Sequence, residues 1–307
     1  MFNRSIVVRK QTTLRRFLYT LLVISLTHLA WFSVQAGHKH LRLRVAVVVP
    51  SRSQSNWKSL AAASLHTLML PSLVKTTRAD FTHMAVEVIV VIDEGDTFWE
   101  RRVNQHLLLM EHRDVHITII SVRSDEGHIP MNEGCIRAYE SGVDYIVRVN
   151  DDTEFITDGW LSMGVTTLHG FKPPNLGVVG PTCEQGKTDI LTHDMVHRTH
   201  LDIFDAYYPV VFDNWWVDDW ISSVYGPQNT QRLEGWKVNH HMHTYGQRYI
   251  ENRTQALLLP KALLDGKQRI FEYMIYGKNA GRRAWPIDHR RVKVLATSDE
   301  SIPSPLP

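Results

Sequence analysis

The feature that most limits the fold is an alternation of strand-like and helix-like segments along the first half of the chain. Each strand-like segment is a short apolar run rich in β-branched residues, and each helix-like window has apolar residues at mixed three- and four-residue spacings. This alternation predicts an α/β fold in which a mainly parallel sheet is covered by helices on both faces. The strand-like runs are residues 45–49, 86–92, 115–122, 145–149 and 176–179, and the helix-like windows are residues 57–70, 97–112, 132–141 and 159–168.

Residues 45–307 fit a single domain with two halves. Of the 307 residues of the chain, 43% are apolar and 21% are charged, which is typical of a globular protein and excludes a disordered chain. The alternation fills residues 45–180, whereas residues 181–307 are rich in Trp, Tyr, His and Asp. We expect this second half to lie against the carboxyl edge of the sheet, where open α/β sheets bind ligands.

The charge of the chain is divided unevenly between its amino terminus and its body. The formal net charge is +2, but residues 1–44 hold eight of the 34 Lys and Arg residues and none of the 32 Asp and Glu residues. The body therefore has 26 basic and 32 acidic residues. Binding to nucleic acid needs clustered cations that displace phosphate counterions, so this balance argues against a nucleic-acid partner.

An uncharged apolar segment at residues 17–34 follows the basic amino terminus. At about 18 residues it is just long enough to cross a bilayer as a helix, and more positive charges precede it than follow it. The preferred interpretation is a cytosolic tail at residues 1–16, a signal-anchor transmembrane helix at residues 17–36 and a stem at residues 37–44. The alternative is a signal peptide that is cleaved after Ala36.

Both interpretations place the body of the chain in the secretory lumen. We therefore expect a Golgi or endoplasmic reticulum protein, which the signal anchor would make a single-pass type II membrane protein. Asn252-Arg253-Thr254 matches the pattern of an N-glycosylated glycoprotein. Cys135 and Cys183 could pair in an oxidising lumen, but two buried thiols are an equally good interpretation, so the disulfide stays open.

An acidic turn directly after a strand-like run is the first candidate for chemistry. Asn150, Asp151, Asp152 and Glu154 follow the run at residues 145–149. Like charges placed together at the end of a buried strand cost free energy unless a cation offsets them. An oxygen-rich cluster suits Mn²⁺ or Mg²⁺ better than zinc, and such an ion keeps open positions for substrate phosphates. The alternative is a solvated acidic turn.

Five segments of the first half occur in a particular order, namely VAVVVPSR, VIVVIDEGD, MNEGCIRAYESGVDYIVRVNDDTEF, DGWL and GVVGP. In this order and spacing they resemble nucleotide-sugar glycosyltransferases of the GT-A fold. The sequence is most similar to the family 2-like group, and its NDDT segment also resembles the exostosin-like transferases. The resemblance extends from about Val45 to Pro181 and more loosely to Tyr249.

The resemblance implies roles for residues at the ends of the first two strands. Pro50, Ser51 and Arg52 match the strand end that borders the nucleotide. Asp93 matches the acid that binds the uracil or ribose, and Asn132 matches the Asn-x-Gly segment ahead of the helix that leads to the metal strand.

The acidic turn matches the DxD-type metal motif of the same enzymes. The resemblance implies that Asp151 and Asp152 bind Mn²⁺ or Mg²⁺, the last carboxylate holding the ion that bridges the diphosphate. Asn150 stands where a strict DxD motif has its first Asp. An amide there can still contact ribose or a metal-bound water, but one charge fewer leaves the affinity for the ion open.

A second acidic segment is a candidate for the catalytic base. Asp218 and Asp219 lie where family 2-like enzymes carry an acidic pair ahead of a helix. Inverting transfer needs a carboxylate that accepts the proton of the acceptor hydroxyl, and we prefer Asp218 for this role. Trp215 and Trp216 offer flat apolar faces to an acceptor sugar, although core packing is an equally good interpretation, and we expect at least one indole among them and Trp220 to be structural.

A histidine-rich segment at residues 238–249 is the third candidate. Many GT-A enzymes complete the metal shell with a histidine from the second half of the domain, so the resemblance implies His241 or His243 as a ligand and Arg248 as a phosphate contact. The alternatives are a zinc site, for which no Cys or HExxH helix is nearby, and a polar loop whose imidazoles only titrate.

The leading hypothesis is a metal-dependent hexosyl- or N-acetylhexosaminyltransferase that moves a sugar from a UDP-sugar to a glycan or glycoprotein acceptor. Its nucleotide-binding half would be residues 45–180 and its acceptor-binding half residues 181–307. A non-catalytic lumenal sugar-binding protein on the same fold and a glycoside hydrolase are the alternatives. The acidic pair favours inversion, whereas the exostosin-like segment favours retention. The sequence leaves open the identity of the sugar and the oligomeric state.

Overall fold

The computed structural model describes residues 42–123, 127–245, 249, 252–279 and 291–298. By its contacts the chain divides into two units, Met1–Arg42 and Leu43–Pro307. The described residues other than Arg42 belong to the second unit, which contains the whole α/β body.

The described part of the chain has no helix that is long and apolar enough to span a membrane. Its longest helix, Leu259–Tyr276, carries charged residues such as Lys261 and Asp265 along its length. This finding contradicts the expected transmembrane helix and the single-pass Golgi or endoplasmic reticulum topology that depends on it. Residues 17–36 themselves, like the tail at residues 1–16, lie outside the described residues.

Nine strands of the described residues form one mixed sheet in the order β5-β8-β6-β7-β4-β1-β2-β3-β9. The strands are β1 (Leu43–Pro50), β2 (Met84–Asp93), β3 (His116–Val122), β4 (Tyr145–Arg148), β5 (Thr153–Phe155), β6 (Val178–Cys183), β7 (Asp194–His197), β8 (Thr230–His240) and β9 (Val292–Thr297). Strands β1 to β4 pair in parallel, as β6 does with β8. Strand β7 lies antiparallel between β4 and β6, and the edge strands β5 and β9 are also antiparallel to their neighbours.

The α/β prediction is confirmed, and the mixed pairing corrects the expectation of a mainly parallel sheet. Strands β6 and β7 pair with each other and follow one another without a described helix between them. A parallel pair needs a long crossover, so this short connection produces an antiparallel pair.

The described residues contain eight α-helices. They are α1 (Leu70–Thr77), α2 (Arg102–Glu111), α3 (Met131–Glu140), α4 (Trp160–Gly170), α5 (Thr199–Ile203), α6 (Val217–Val224), α7 (Met242–Tyr245) and α8 (Leu259–Tyr276). The helix-like windows overlap α2, α3 and α4. The first window instead covers a 3-10 turn at Leu60–Ala62 and a π-helical turn at Leu65–Met69 that leads into α1.

Alternate residues of the central strands pack into two hydrophobic clusters on opposite faces of the sheet. In β1, Val45, Val47 and Val49 belong to one cluster, and Ala46 and Val48 belong to the other. Successive side chains of a strand point to opposite faces, which explains this division. Residues of α1, α2 and α4 join the first cluster and residues of α3, α5 and α6 join the second, so helices cover both faces as predicted.

Helix α3 packs directly on the sheet at Gly134. A Cβ atom there would lie 2.5 Å from Val91 Cγ2 and 2.6 Å from Val48 Cγ1, so this close approach requires glycine. The neighbouring Cys135 and the distant Cys183 are both buried and free, and they belong to clusters on opposite faces of the sheet. The two cysteines are therefore not paired.

Six strands, β1 to β4, β6 and β8, point in the same direction, so their carboxyl ends meet at one edge of the sheet. Polar residues follow several of these ends, among them Ser51 after β1, Asp151 after β4 and Lys187 after β6, while His240 ends β8. The candidate site lies at this edge.

Candidate active site

A cavity of about 470 Å³ opens at the carboxyl edge of the sheet. It gathers residues from the ends of β1, β4, β6 and β8 and from the segment that begins α6. The described residues that line it are Pro50, Asn150, Asp151, Asp152, Gln185, Gly186, Lys187, Ile190, Thr192, Asn214, Trp215, Trp216, Asp218, Asp219, His240, Met242, His243 and Tyr249. The cavity thus brings together the acidic turn after β4 and the acidic pair of α6, which are far apart in the sequence.

The acidic turn after β4 is buried, as the strand-like run before it predicts. Asp151 and Asp152 are almost inaccessible to solvent, although both line the cavity. Ser51 Oγ donates a hydrogen bond to Asp151 Oδ2 at 2.7 Å, and His240 Nε2 lies 3.0 Å from Asp152 Oδ1. Because this turn is buried and held by partners from β1 and β8, the alternative of a solvated acidic turn is excluded.

The histidine beside Asp152 is His240, which differs from the two residues that the resemblance implied. His241 follows the end of β8 and its Nε2 lies 2.8 Å from Glu154 Oε2, outside the cavity lining. His243, in α7, does line the cavity. Arg248, the expected phosphate contact, lies outside the described residues.

The residues expected to border the nucleotide form a polar cluster that adjoins the cavity. Pro50 lines the cavity, whereas Ser51 supports the acidic turn from behind. Arg52 Nε donates to Asp93 Oδ2 at 2.8 Å, and Tyr249 donates to the same oxygen at 3.2 Å. The guanidinium of Arg52 also lies 4.4 Å from the centre of the Tyr249 ring. Tyr249 alone of these three contributes to the lining.

Asn132 has a structural position that the resemblance did not imply. Its side-chain amide donates to the carbonyl of Tyr208 at 3.1 Å, and its side-chain oxygen accepts from the Tyr208 backbone N–H at 2.7 Å. The residue is buried and does not line the cavity. Asn132 therefore holds the backbone at Tyr208.

The acidic pair lies in the first turn of α6, and each carboxylate has a different basic partner. Asp218 Oδ1 lies 3.2 Å from Arg148 Nη2, and Lys187 Nζ donates to Asp219 Oδ1 at 2.5 Å. Trp216, which precedes the helix, has a positive φ of 74° that bulky residues rarely adopt. Its indole N–H donates to the carbonyl of Asn252 at 3.2 Å, which helps to hold this conformation.

The environment of Asp218 suits a base that works near neutral pH. Burial raises the pKa of the Asp218 carboxyl to about 6, and the attraction of Arg148 limits the rise. A carboxylate with that pKa is mostly ionised at pH 7 and is more basic than a solvated one. The side chain keeps 28% of its surface exposed, so a hydroxyl group in the cavity can approach it.

The three tryptophans around the acidic pair have different positions. Trp215 is 40% exposed and lines the cavity, and the partly buried Trp216 also lines it. Trp220 is buried and its indole N–H donates to the carbonyl of Ala262 at 3.1 Å. At least one indole is therefore structural, as expected, and Trp215 presents the most accessible ring to the cavity.

Sequence reasoning missed several residues of the cavity, chiefly Lys187, His240 and Tyr249. Lys187 follows β6 and His240 ends β8, so the rule that ligand-binding residues follow strand ends would have found both. Applying this rule to His240 requires that β8 be recognised as a strand, and its sequence has no continuous apolar run to identify it. No local signal distinguishes Tyr249.

The side chains around the acidic turn are of the chemical types that bind divalent cations. Carboxylate oxygen suits Mn²⁺ and Mg²⁺, and imidazole nitrogen is a further ligand that transition metals accept. Asp152 and His240 lie within 3.0 Å of each other and both line the cavity. Within the described residues no group of three or more His, Cys, Asp and Glu side chains is arranged to hold a metal ion. The remaining positions around an ion would therefore be taken by substrate or water.

No protein-family model and no curated protein sequence matches the chain. Solved structures with a similar fold include one described as a nucleotide-diphospho-sugar transferase from Desulfovibrio desulfuricans G20, with 10% identity and a TM-score of 0.40 over 75% of this chain and 97% of that one. A glucose-1-phosphate thymidylyltransferase from Bacillus anthracis has 11% identity and a TM-score of 0.44, over 73% and 95% of the two chains. TarS of S. aureus has 9% identity and a TM-score of 0.39, over 76% of this chain and 40% of TarS.

The similarity to exostosin-like transferases is not shown by these structures. A likeness with TM-scores below 0.5 and about 10% identity carries no argument about the family or the chemistry of this chain. The function is therefore argued from the side chains of the cavity.

Proposed function

We propose that this chain is a glycosyltransferase that moves a sugar from a nucleotide-sugar donor, in the first instance a UDP-sugar, to a hydroxyl group of a glycan or glycoprotein. One observation supports this proposal above the others. A single cavity holds two features: the buried carboxylate of Asp152 beside the partly buried imidazole of His240, and a separate, partly exposed carboxylate with a raised pKa, Asp218. Its volume is within the range of small-molecule sites, about 300–1,000 Å³.

The donor would bind at the side of the cavity formed by the acidic turn. Asp152 and His240 would hold a divalent ion there, and Asp151 would be kept in place by its hydrogen bond from Ser51. When bound, such an ion supplies positive charge that stabilises the departing diphosphate. Lys187 adds a further positive charge to the lining and can interact with phosphate oxygens.

The acceptor would bind beside α6. Asp218 would accept the proton of the attacking hydroxyl as the new glycosidic bond forms, which corresponds to inversion of the anomeric configuration. We assign the base to Asp218 because burial raises the pKa of its carboxyl to about 6, close to neutral pH. The exposed ring of Trp215 would pack against the apolar face of a sugar, as aromatic side chains in sugar sites do.

The proposal is tested with the full-length chain and a panel of nucleotide sugars in the presence of Mn²⁺. Release of nucleoside diphosphate and the anomeric configuration of the product are measured together. We expect turnover of at least one UDP- or GDP-sugar, loss of turnover in EDTA, and an inverted product. Release of pyrophosphate from a nucleoside triphosphate and a sugar phosphate would instead indicate nucleotidyl transfer.

The Asp152→Asn variant and a matched control identify the site. Asp265→Asn, an identical change on the exposed face of α8, should retain full turnover, while Asp152→Asn should lose it with its fold intact by circular dichroism. Turnover by Asp152→Asn at the wild-type rate, or hydrolysis of simple glycosides in EDTA, would refute the proposal.

A further inference from the structure

Arg148 is a charged residue in the interior of the protein that the proposed chemistry does not explain. It ends β4 and is only 5% exposed. Its Nη1 donates to the carbonyl of Thr192 at 2.5 Å, and its Nη2 lies 3.2 Å from Asp218 Oδ1. The guanidinium also lies 5.7 Å from the centre of the Tyr208 ring. An ion in such a position loses most of its hydration, so compensating charges must surround it.

One compensating charge is Asp194, which stands directly opposite Arg148 in the neighbouring strand β7. Cross-strand partners project to the same face of a sheet, so the two charges share one environment. Asp194 is fully buried and accepts hydrogen bonds from the hydroxyl groups of Tyr207 and Tyr208. Arg148 therefore lies between two carboxylates, one of which faces the interior and the other the cavity.

We propose that Arg148 is the positioning residue that aims the Asp218 carboxylate at the cavity and keeps it ionised, and that Asp194 limits the strength of this effect. The inference rests on the proposed function, in which Asp218 is the base. Asp194 and Arg148 lie behind Asp218 and do not line the cavity, so neither is assigned a contact with substrate.

The charges around Asp218 determine whether a substitution at Arg148 or Asp194 should raise or lower the pKa of Asp218. Burial is the main cause that raises the pKa of Asp218, attraction to Arg148 lowers it, and repulsion by Asp194 raises it. The titratable and charged groups that face Asp218 are Arg148 from β4, Asp194 from β7, Tyr208 from the segment after α5, Asp219 from α6, His240 from β8 and Lys187 from the segment after β6. Changing Arg148 or Asp194 leaves the other groups of this set in place.

Two substitutions should therefore move the titration of Asp218 in opposite directions. Arg148→Met removes the attraction and should raise the pKa of Asp218, by about 1–3 units for an opposite charge at this distance. Asp194→Asn removes the repulsion, keeps the side-chain shape and should lower the pKa. A residue that only supports the fold would not produce shifts of opposite sign.

The experiment measures the Asp218 titration directly and through activity. Full-length protein labelled with [¹³Cγ]Asp is titrated by NMR, and the Asp218 signal is identified by its absence from Asp218→Asn. The acid limb of kcat/KM for nucleotide-sugar turnover is measured in parallel. Arg148→Lys, which keeps the charge without the forked geometry, should shift the pKa less than Arg148→Met does and still lower kcat. Arg78→Met, at the exposed end of α1, should match the wild type in both measurements.

Shifts of the same sign in Arg148→Met and Asp194→Asn, or no shift in either folded variant, would overturn the inference. If Arg148→Met does not fold, Arg148→Lys and Asp194→Asn decide the question, because the inference still requires that Asp194→Asn lower the pKa of Asp218. Failure of the proposed function is recognised separately, since a wild-type protein that turns over no nucleotide sugar still gives an NMR titration of Asp218.

Discussion

Replacement of Asp218 by Asn is expected to stabilise the protein at neutral pH. Burial raises the pKa of this carboxyl from its ordinary value of 3.8 to about 6. A raised pKa means that the folded state favours the neutral form, so ionised Asp218 destabilises the fold as the pH rises through about 6. Below the unfolded value near 3.8 both states are protonated and the difference disappears.

The size of the effect follows from the two pKa values. One unit of pKa shift corresponds to 1.36 kcal/mol, so a rise of about two units amounts to about 3 kcal/mol at pH 7. Because 28% of the side chain is exposed, solvent screening reduces this figure, and we expect about 2 kcal/mol. At pH 4 the difference between wild type and Asp218→Asn should shrink to about 0.5 kcal/mol or less.

Urea unfolding of the full-length proteins, followed by tryptophan fluorescence at pH 4 and pH 7.5, measures this difference. Asp265→Asn on the exposed surface of α8 is the matched control and should differ from wild type by no more than about 0.5 kcal/mol at either pH. The reasoning is wrong if Asp218→Asn is no more stable than wild type at pH 7.5, or if its advantage is the same at both pH values. The same variant should lose about 10²- to 10⁴-fold in turnover, since it lacks the base.

Three further substitutions test other parts of the cavity, and a fourth tests a buried indole. Asp152→Asn should lower the rate of nucleoside diphosphate release by at least about 100-fold, because charge stabilisation of the leaving group is lost, and should abolish Mn²⁺-dependent binding of UDP in calorimetry. Lys187→Met should raise the donor KM by about 10-fold or more in steady-state kinetics, because a charged contact to phosphate contributes about 1.5–3 kcal/mol. Trp215→Ala should raise the acceptor KM and leave urea stability unchanged, whereas Trp220→Ala should lower stability by about 3–5 kcal/mol because its ring is buried.

Each of these outcomes has a result that contradicts it. Mn²⁺-dependent UDP binding by Asp152→Asn would remove that carboxylate from the donor site. If Lys187→Met leaves the donor KM unchanged and lowers kcat, Lys187 acts only through its ion pair with Asp219 and does not contact the donor phosphate. Equal losses of stability in Trp215→Ala and Trp220→Ala would show that both rings serve the core.

Strands β1 to β4 could be predicted because burial on both faces of the sheet gives each of them a continuous apolar run, whereas the short strand β5 was not predicted. A strand such as β1 or β2 is covered by helices on each side, so nearly every residue is apolar and the run is continuous. Strand β8 has no such run. Buried Leu233, Trp236 and Val238 are separated by exposed and charged residues, and its pairing partners β5 and β6 are distant in the chain. The strand that carries His240 was therefore not predicted.

The candidate site shows the same limit at the level of single residues. Residues that directly follow a recognisable strand, such as Asp151 and Asp152, could be selected from the sequence together with the chemistry of oxygen ligands. Arg148 stands inside a strand-like run, and nothing nearby indicates that its charge is met by Asp194 and Asp218. Such compensation depends on the register of β4 with β7 and on the position of α6, which only the folded structure contains.

The buried charges behind the cavity are not what holds this fold together. A buried ion pair can often be replaced by apolar side chains of similar volume with no loss of stability, because desolvation cancels most of the attraction. The two hydrophobic clusters already cover both faces of the sheet, so packing alone does not require charges at Arg148 and Asp194. Asp218, whose pKa is raised by burial, and Trp216, with its positive φ, add further unfavourable features to the same wall of the cavity. Catalysis at this wall of the cavity would explain why these unfavourable features are concentrated there. Packing of the core does not require them.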